Sequence, residues 1–177
     1  MKTIQSTIYR IVRNTILQDF FRFLETFVLS LYYALGDTIC GMVDSTVLID
    51  DSDIDLFIQK RFLEVYRFSK NLTSYKSAEE ALEKLNSARP HTVPDVIFLD
   101  LNMPNLDGFG FLEGFNKLPD EVRDKSKIIV LTSSNSQKDR AQAFQYKNVV
   151  QFVTKPLRQA DIDDLKKIIE PNDPTKA

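Results

Sequence analysis

The sequence predicts an α/β protein of the doubly wound class, a parallel sheet with helices on both faces. Two observations carry this reading. From Thr46 onward, short apolar runs alternate with segments of helical period. The apolar runs are continuous rather than alternating, as in VIFL (96–99) and IIVL (128–131), which is the mark of strands buried on both faces. Right-handed crossovers then leave few ways of connecting such strands.

The elements follow in order. TVLID (46–50) reads as a strand ending in acid. IDLFIQKRFLEVY (54–66) places Ile54, Phe57, Ile58, Phe62 and Val65 at helical spacing, with Asp53 a candidate cap. NLTSY (71–75) is a short strand. The next helix opens on Ser77 with Glu80 three residues on, a capping box. DVIFLD (95–100) is the third strand, and GFGFLEGFNKL (108–118) reads as a helix despite its glycines. LPDEVRDKS (118–126) reads as a rather long loop before the strand KIIVLT (127–132). SQKDRAQAFQY (136–146) is a helix, VVQFVT (149–154) the fifth strand, and RQADIDDLKKII (158–169), after Pro156, the fifth helix. Pro171 and Pro174 mark a frayed tail.

Residues 1–44 do not follow this pattern and read as a helical extension ahead of a domain spanning 45–177. Asp19, Arg22 and Glu25 fall on one side of a helix and Phe20, Phe23, Leu24, Phe27 and Leu31 on the other. Water would not tolerate that stripe bare, so it is expected to pack on protein, either the domain surface or the same helix in a second copy of the chain. The lesser readings are an upstream segment attached by a misplaced start codon, a membrane contact, and a targeting peptide. The run 26–43 carries a single charge, Asp37, but Gly36 and Asp37 interrupt it as a membrane span, and the first 18 residues hold Lys2, Arg10 and Arg13 without an acid.

Composition narrows the function. A hydrophobic fraction of 43%, a charged fraction of 27% and a net charge of −2 describe an ordinary globular chain with no basic field for nucleic acid. The single cysteine, Cys40, excludes an intrachain disulfide and a cysteine-rich zinc site and fits a reduced, cytoplasmic setting. The single histidine, His91, lies between Pro90 and Pro94 in a loop without catalytic partners in the sequence. There is no Walker-type loop and no GxGxxG.

The chemistry collects at strand exits, where doubly wound sheets bind ligands. The first strand ends in Asp50-Asp51, the third in Asp100, the fourth in Thr132-Ser133-Ser134 and the fifth in Thr154-Lys155-Pro156. Carboxylates held close repel each other, and a hard divalent cation relieves them. Lysine supplies a compact charge for a phosphoryl oxygen, and threonine supplies a hydrogen bond. Such a set suits the placing of a phosphoryl group on a carboxylate. Each motif alone has a plain structural explanation; the four in this order at successive strand exits do not.

VLIDDSD, VIFLDLNMPNLDGFGFL, IIVLTSS and FVTKPL together resemble the receiver domain of bacterial two-component response regulators, over about residues 46–169. The resemblance implies a flavodoxin-like sandwich with strand order 2-1-3-4-5. It implies that Asp100 is the phosphoacceptor, that Asp51, Asp100 and the backbone carbonyl of Asn102 ligate Mg2+, and that Asp50 orients a metal-bound water. Lys155 would pair with the phosphoryl group or Asp100, Thr132 would bond a phosphoryl oxygen, and Phe152 stands at the aromatic switch position. The Lys155-Pro156 bond is often cis in this family. Tyr146-Lys147-Asn148 replaces the small pair common before the fifth strand. The implied role is a single-domain regulator, without an output domain, that takes its phosphoryl group from a sensor histidine kinase or a phosphotransfer protein and acts by binding a downstream protein, with no turnover of a separate substrate. Two rival functions fit less well. A haloacid dehalogenase-like phosphohydrolase needs a second aspartate where Asn102 stands. A degenerate receiver that is never phosphorylated has usually lost an acid, the threonine or the lysine.

Overall fold

The computed structural model describes residues 43–89 and 91–169. The expected N-terminal helix and its stripe, and the tail with Pro171 and Pro174, lie outside these residues. The described chain runs β1 (Val43–Ile49), α1 (Asp53–Val65), β2 (Ser69–Tyr75), α2 (Ala78–Asn86), β3 (Val96–Leu99), α3 (Gly108–Phe115), α4 (Asp120–Lys125), β4 (Lys127–Thr132), α5 (Gln137–Ala143), β5 (Val149–Thr154) and α6 (Gln159–Ile169). The strands form one parallel sheet in the order β2-β1-β3-β4-β5, as expected. β1 takes in Val43 and Asp44 ahead of the expected 46–50, because Val43 pairs with Ser69 and its N–H bonds the carbonyl of Phe68.

Successive residues of each central strand feed opposite cores, which is why these strands are apolar throughout. Val47, Ile49, Ile97, Leu99, Ile128 and Val130 pack with Ala81 and Leu85 of α2, Phe111 and Phe115 of α3, and Ala143 of α5. Leu48, Phe98, Ile129 and Leu131 pack with Leu56 and Leu63 of α1 and Ile162 and Leu165 of α6. Phe68 meets Phe98 edge-on at 5.5 Å in this second core. Burying one such side chain contributes roughly 1.5–3 kcal/mol. The polar ends of the central strands are carried along by this packing and come out together at one rim.

Three readings of the sequence are corrected. Helix α1 turns Leu56, Gln59 and Leu63 inward, while Ile54, Phe57, Ile58 and Val65 are exposed, by 70% at Ile54. Two stripes compete on this helix, and the one holding Gln59 wins because it brings an amide to the buried carboxylate of Asp50. Ser52, not Asp53, caps α1, accepting from the N–H of Asp55 at 3.2 Å. The loop 118–126 contains the helix α4, which begins after Pro119, carries Asp120 and Glu121 in its first turn and Arg123 and Lys125 in its last, and so matches the helix dipole at both ends.

The unusual turn before β5 also has its explanation. The side-chain amide of Asn148 donates to the carbonyl of Ser126 at 3.0 Å and to that of Arg123, tying the turn to the end of α4. A small residue there makes no such bond. His91 is exposed in a turn, as expected of a solvated loop histidine.

The inward face of α1 is directly testable. Leu63→Ala should lower the unfolding free energy by about 2–5 kcal/mol, whereas Phe57→Ser should stay within about 0.5 kcal/mol of the unsubstituted chain. Urea unfolding of the two variants checks this; equal losses would restore the face read from the sequence.

Candidate functional site

β1 and β3 lie side by side, so their terminal aspartates emerge as neighbours. Asp50 is 1% exposed and Asp100 6%, while Asp51 is exposed. One carboxylate oxygen from each of the three lies within 4.8 Å of the others. Two buried carboxylates so close need donors, and each has them. Asp50 accepts from the backbone N–H of Ser52 at 3.0 Å, the Gln59 amide at 2.8 Å and the Lys155 ammonium at 2.7 Å. Asp100 accepts from the backbone N–H of Asn102 at 3.3 Å and from Lys155 at 3.1 Å.

Lys155 reaches the acids because β5 ends beside β4, where its N–H bonds the carbonyl of Thr132 at 2.9 Å, and the cis Lys155-Pro156 peptide follows. Its ammonium makes a third ion pair, with Asp55 of α1, at 2.8 Å. Burial pushes the Lys155 ammonium toward losing its proton, but the hydrogen bonds of Asp50 and Asp55 and the charge of Asp100 more than reverse this and raise its pKa. The sign for stability follows. A raised folded-state pKa stabilises fully below the ordinary lysine value of 10.5, and the contribution is lost only as pH rises through the folded value. The ammonium is therefore charged throughout the neutral range.

Thr132 is wholly buried. Its hydroxyl oxygen accepts from the Asn102 side-chain amide at 3.2 Å and the backbone N–H of Ser134 at 3.3 Å, which leaves its proton to donate. Asn102 thus bonds Asp100 through its backbone and Thr132 through its side chain. The turn holding Asn102 is closed by Gly108, whose N–H bonds the carbonyl of Leu101 at 3.0 Å; a Cβ at Gly108 would stand 2.5 Å from the Asp100 carbonyl oxygen. Phe152 lies one strand away, buried. The guanidinium of Arg140 sits 5.5 Å from its ring centre and 5.4 Å from that of Phe144, and donates to the Phe152 carbonyl at 3.2 Å.

Asp50, Asp51, Asp100, Asn102, Thr132 and Lys155 are therefore one connected cluster, with Phe152 adjoining it on β5. The donor set fits a hard divalent cation: only oxygen ligands, crowded carboxylates, and one of them open to water. Sequence reasoning missed three contributors: Gln59 and Asp55 on α1, and Arg140. The first two carried a signal. Ser52, Asp55 and Gln59 recur at helical spacing directly after an acidic strand exit, a polar stripe aimed at the rim. A groove of about 310 Å³ beside the cluster is lined by Asp55, Ile58, Phe62, Leu131, Lys155 and Leu157 among others.

Comparison with known proteins agrees with this geometry. Residues 46–169 match the family described as the response regulator receiver domain. A response regulator receiver protein from Dyadobacter fermentans is 30% identical in sequence, with a TM-score of 0.64 over 71% of this chain and 98% of that one. A two-component response regulator from Cytophaga hutchinsonii is 29% identical, with a TM-score of 0.67 over 72% and 97%. The hybrid signal transduction histidine kinase L of Dictyostelium discoideum is 25% identical over 134 residues, which is 71% of this chain but 7% of that kinase. With its fold, its acidic cluster and the match over 46–169 in hand, the chain belongs to the response regulator receiver family of two-component signal transduction.

Proposed function

We propose that Asp100 is a phosphoacceptor, taking its phosphoryl group from a phosphohistidine on a sensor histidine kinase or a phosphotransfer protein. The observation that carries this is the convergence of buried Asp50 and Asp100 on the one ammonium of Lys155. In the transfer, an Asp100 carboxylate oxygen attacks phosphorus, the bond from phosphorus to the donor imidazole breaks, and the imidazole leaves with that electron pair and takes up a proton. Lys155 and the Thr132 hydroxyl would stabilise the phosphoryl oxygens. Asp51, Asp100 and the backbone carbonyl of Asn102 would hold Mg2+, with Asp50 orienting a metal-bound water; when bound, the ion neutralises charge on the phosphoryl oxygens. Donation from Thr132 to a phosphoryl oxygen would draw it inward and give Phe152 room to turn, changing the surface of α5 and β5 presented to a downstream protein.

The surface beside the rim supports a protein donor. Ile54, Phe57 and Ile58 of α1 are exposed large hydrophobic residues, Ile58 lines the groove that contains Lys155, and such exposed apolar surface marks protein contacts. The setting is inferred to be cytoplasmic; no helix among the described residues is long and apolar enough to cross a membrane. The extension 1–44 is proposed to pack on protein, in this chain or a second copy. The receiver family is not a class of turnover enzymes, and the phosphohydrolase reading also lacks its general acid, because the carboxamide of Asn102 has no acidic proton to give. The degenerate reading is disfavoured by the intact set of Asp50, Asp51, Asp100, Thr132 and Lys155.

Intact mass after treatment with a small phosphoryl donor tests the assignment. The chain should gain one phosphoryl group in Mg2+ and far less in a chelator, and Asp100→Ala should abolish the adduct while remaining folded. A full-yield adduct on Asp100→Ala would refute it.

A further inference from the structure

Asp55 has no part in the chemistry assigned so far. It is not one of the three acids that converge as a metal site. Yet its carboxylate lies 2.8 Å from the Lys155 ammonium, closer than that of Asp100 at 3.1 Å. Its place is well defined, since it sits in the first turn of α1 and its backbone N–H is held by the Ser52 cap. The three protons of the ammonium are thus directed to Asp50, Asp55 and Asp100. An incoming phosphoryl oxygen can take one of them only if a carboxylate gives it up.

The three bonds are unequal in what their loss leaves behind. The Asp50 and Asp100 side chains are 1% and 7% exposed, so either would lose a partner away from water. The Asp55 side chain is 38% exposed and faces the groove, where water can replace the lysine. The Asp55 bond is the one that exchanges at least loss. Its charge also lies close to where a phosphoryl dianion would sit, and like charges repel in a part-buried site.

We propose that Asp55 is a positioning residue that draws Lys155 toward α1, competes with the phosphoryl group for its ammonium, and so sets how weakly the rim holds that group. The proposal rests on Asp100 being the acceptor. It makes the unphosphorylated arrangement a closed ion-pair network that phosphorylation must open at one bond. Neutralising Asp55 should favour the phosphoryl-bound state while doing nothing to improve the metal site.

The full-length chain tests this with two titrations: Mg2+ alone, and beryllofluoride as phosphoryl mimic at saturating Mg2+. Asp55→Asn should bind the mimic about threefold to tenfold more tightly, the size of one charge-assisted hydrogen bond discounted for exposure, and should bind Mg2+ alone no more tightly. Asp55→Ser should follow the Asn variant, and Asp55→Glu, which keeps the charge, should stay near the unsubstituted chain. A merely structural role would weaken both ligands together. Mimic affinity unchanged or weakened in both neutral variants, or tightened equally in Asp55→Glu, overturns the proposal. An unsubstituted chain that takes no mimic in Mg2+ overturns the phosphoacceptor reading itself, and this proposal with it.

Discussion

Two carboxylates at the ends of adjacent buried strands repel each other and have lost most of their water; the ammonium of Lys155 makes that arrangement tenable. The rest of the rim is organised around this charge balance. β5 must lie beside β4 to deliver Lys155, α1 must turn Gln59 inward to give Asp50 a further donor, and the turn after β3 must bring the Asn102 backbone onto Asp100. A buried ion pair of this kind contributes little net stability over an apolar substitute, but losing one partner leaves a buried charge uncompensated. Under the proposed function, a metal ion or a phosphoryl group entering the rim would change this balance, and Lys155, bonded to Asp50, Asp55 and Asp100, would be the side chain to respond.

The proposed response would pass through residues that the structure links. Thr132 and Asp100 are linked through one residue, Asn102, which bonds the first with its side chain and the second with its backbone. Phe152 lies on β5 beside β4, and the Arg140 guanidinium sits near its ring and that of Phe144 and donates to the Phe152 carbonyl. Any outward turn of Phe152 must break a cation–aromatic contact of roughly 0.5–2 kcal/mol, small enough for a change at the rim to tip.

Much of this was legible in the sequence, for reasons that can be named. The apolar strands 96–99 and 128–131 could not be anything but doubly buried, and a doubly wound sheet places its chemistry at strand exits, so Asp50, Asp100, Thr132 and Lys155 could be found together before any coordinates. What escaped depended on contacts rather than pattern. Helix α1 carries two stripes, and apolar count favoured Ile54, Phe57 and Ile58; only the need of a buried carboxylate for a donor selects the stripe with Gln59. Asp55 stands in the first turn of α1 as helix acids commonly do, and its ion pair with Lys155 is visible only once Lys155 is known to arrive from β5. Helix α4 was hidden by its brevity, although Pro119 and the charge order of 120–125 announced it.

The central claim is that Lys155 neutralises the acidic rim and that a divalent cation can share that task. Thermal unfolding of Lys155→Met with and without Mg2+ tests it most directly. Without the metal the variant should be destabilised by about 3 kcal/mol, as when one partner of a buried ion pair is removed, and Mg2+ should stabilise it more than it stabilises the unsubstituted chain. A metal-free variant as stable as the parent, with no larger gain from Mg2+, would contradict the account.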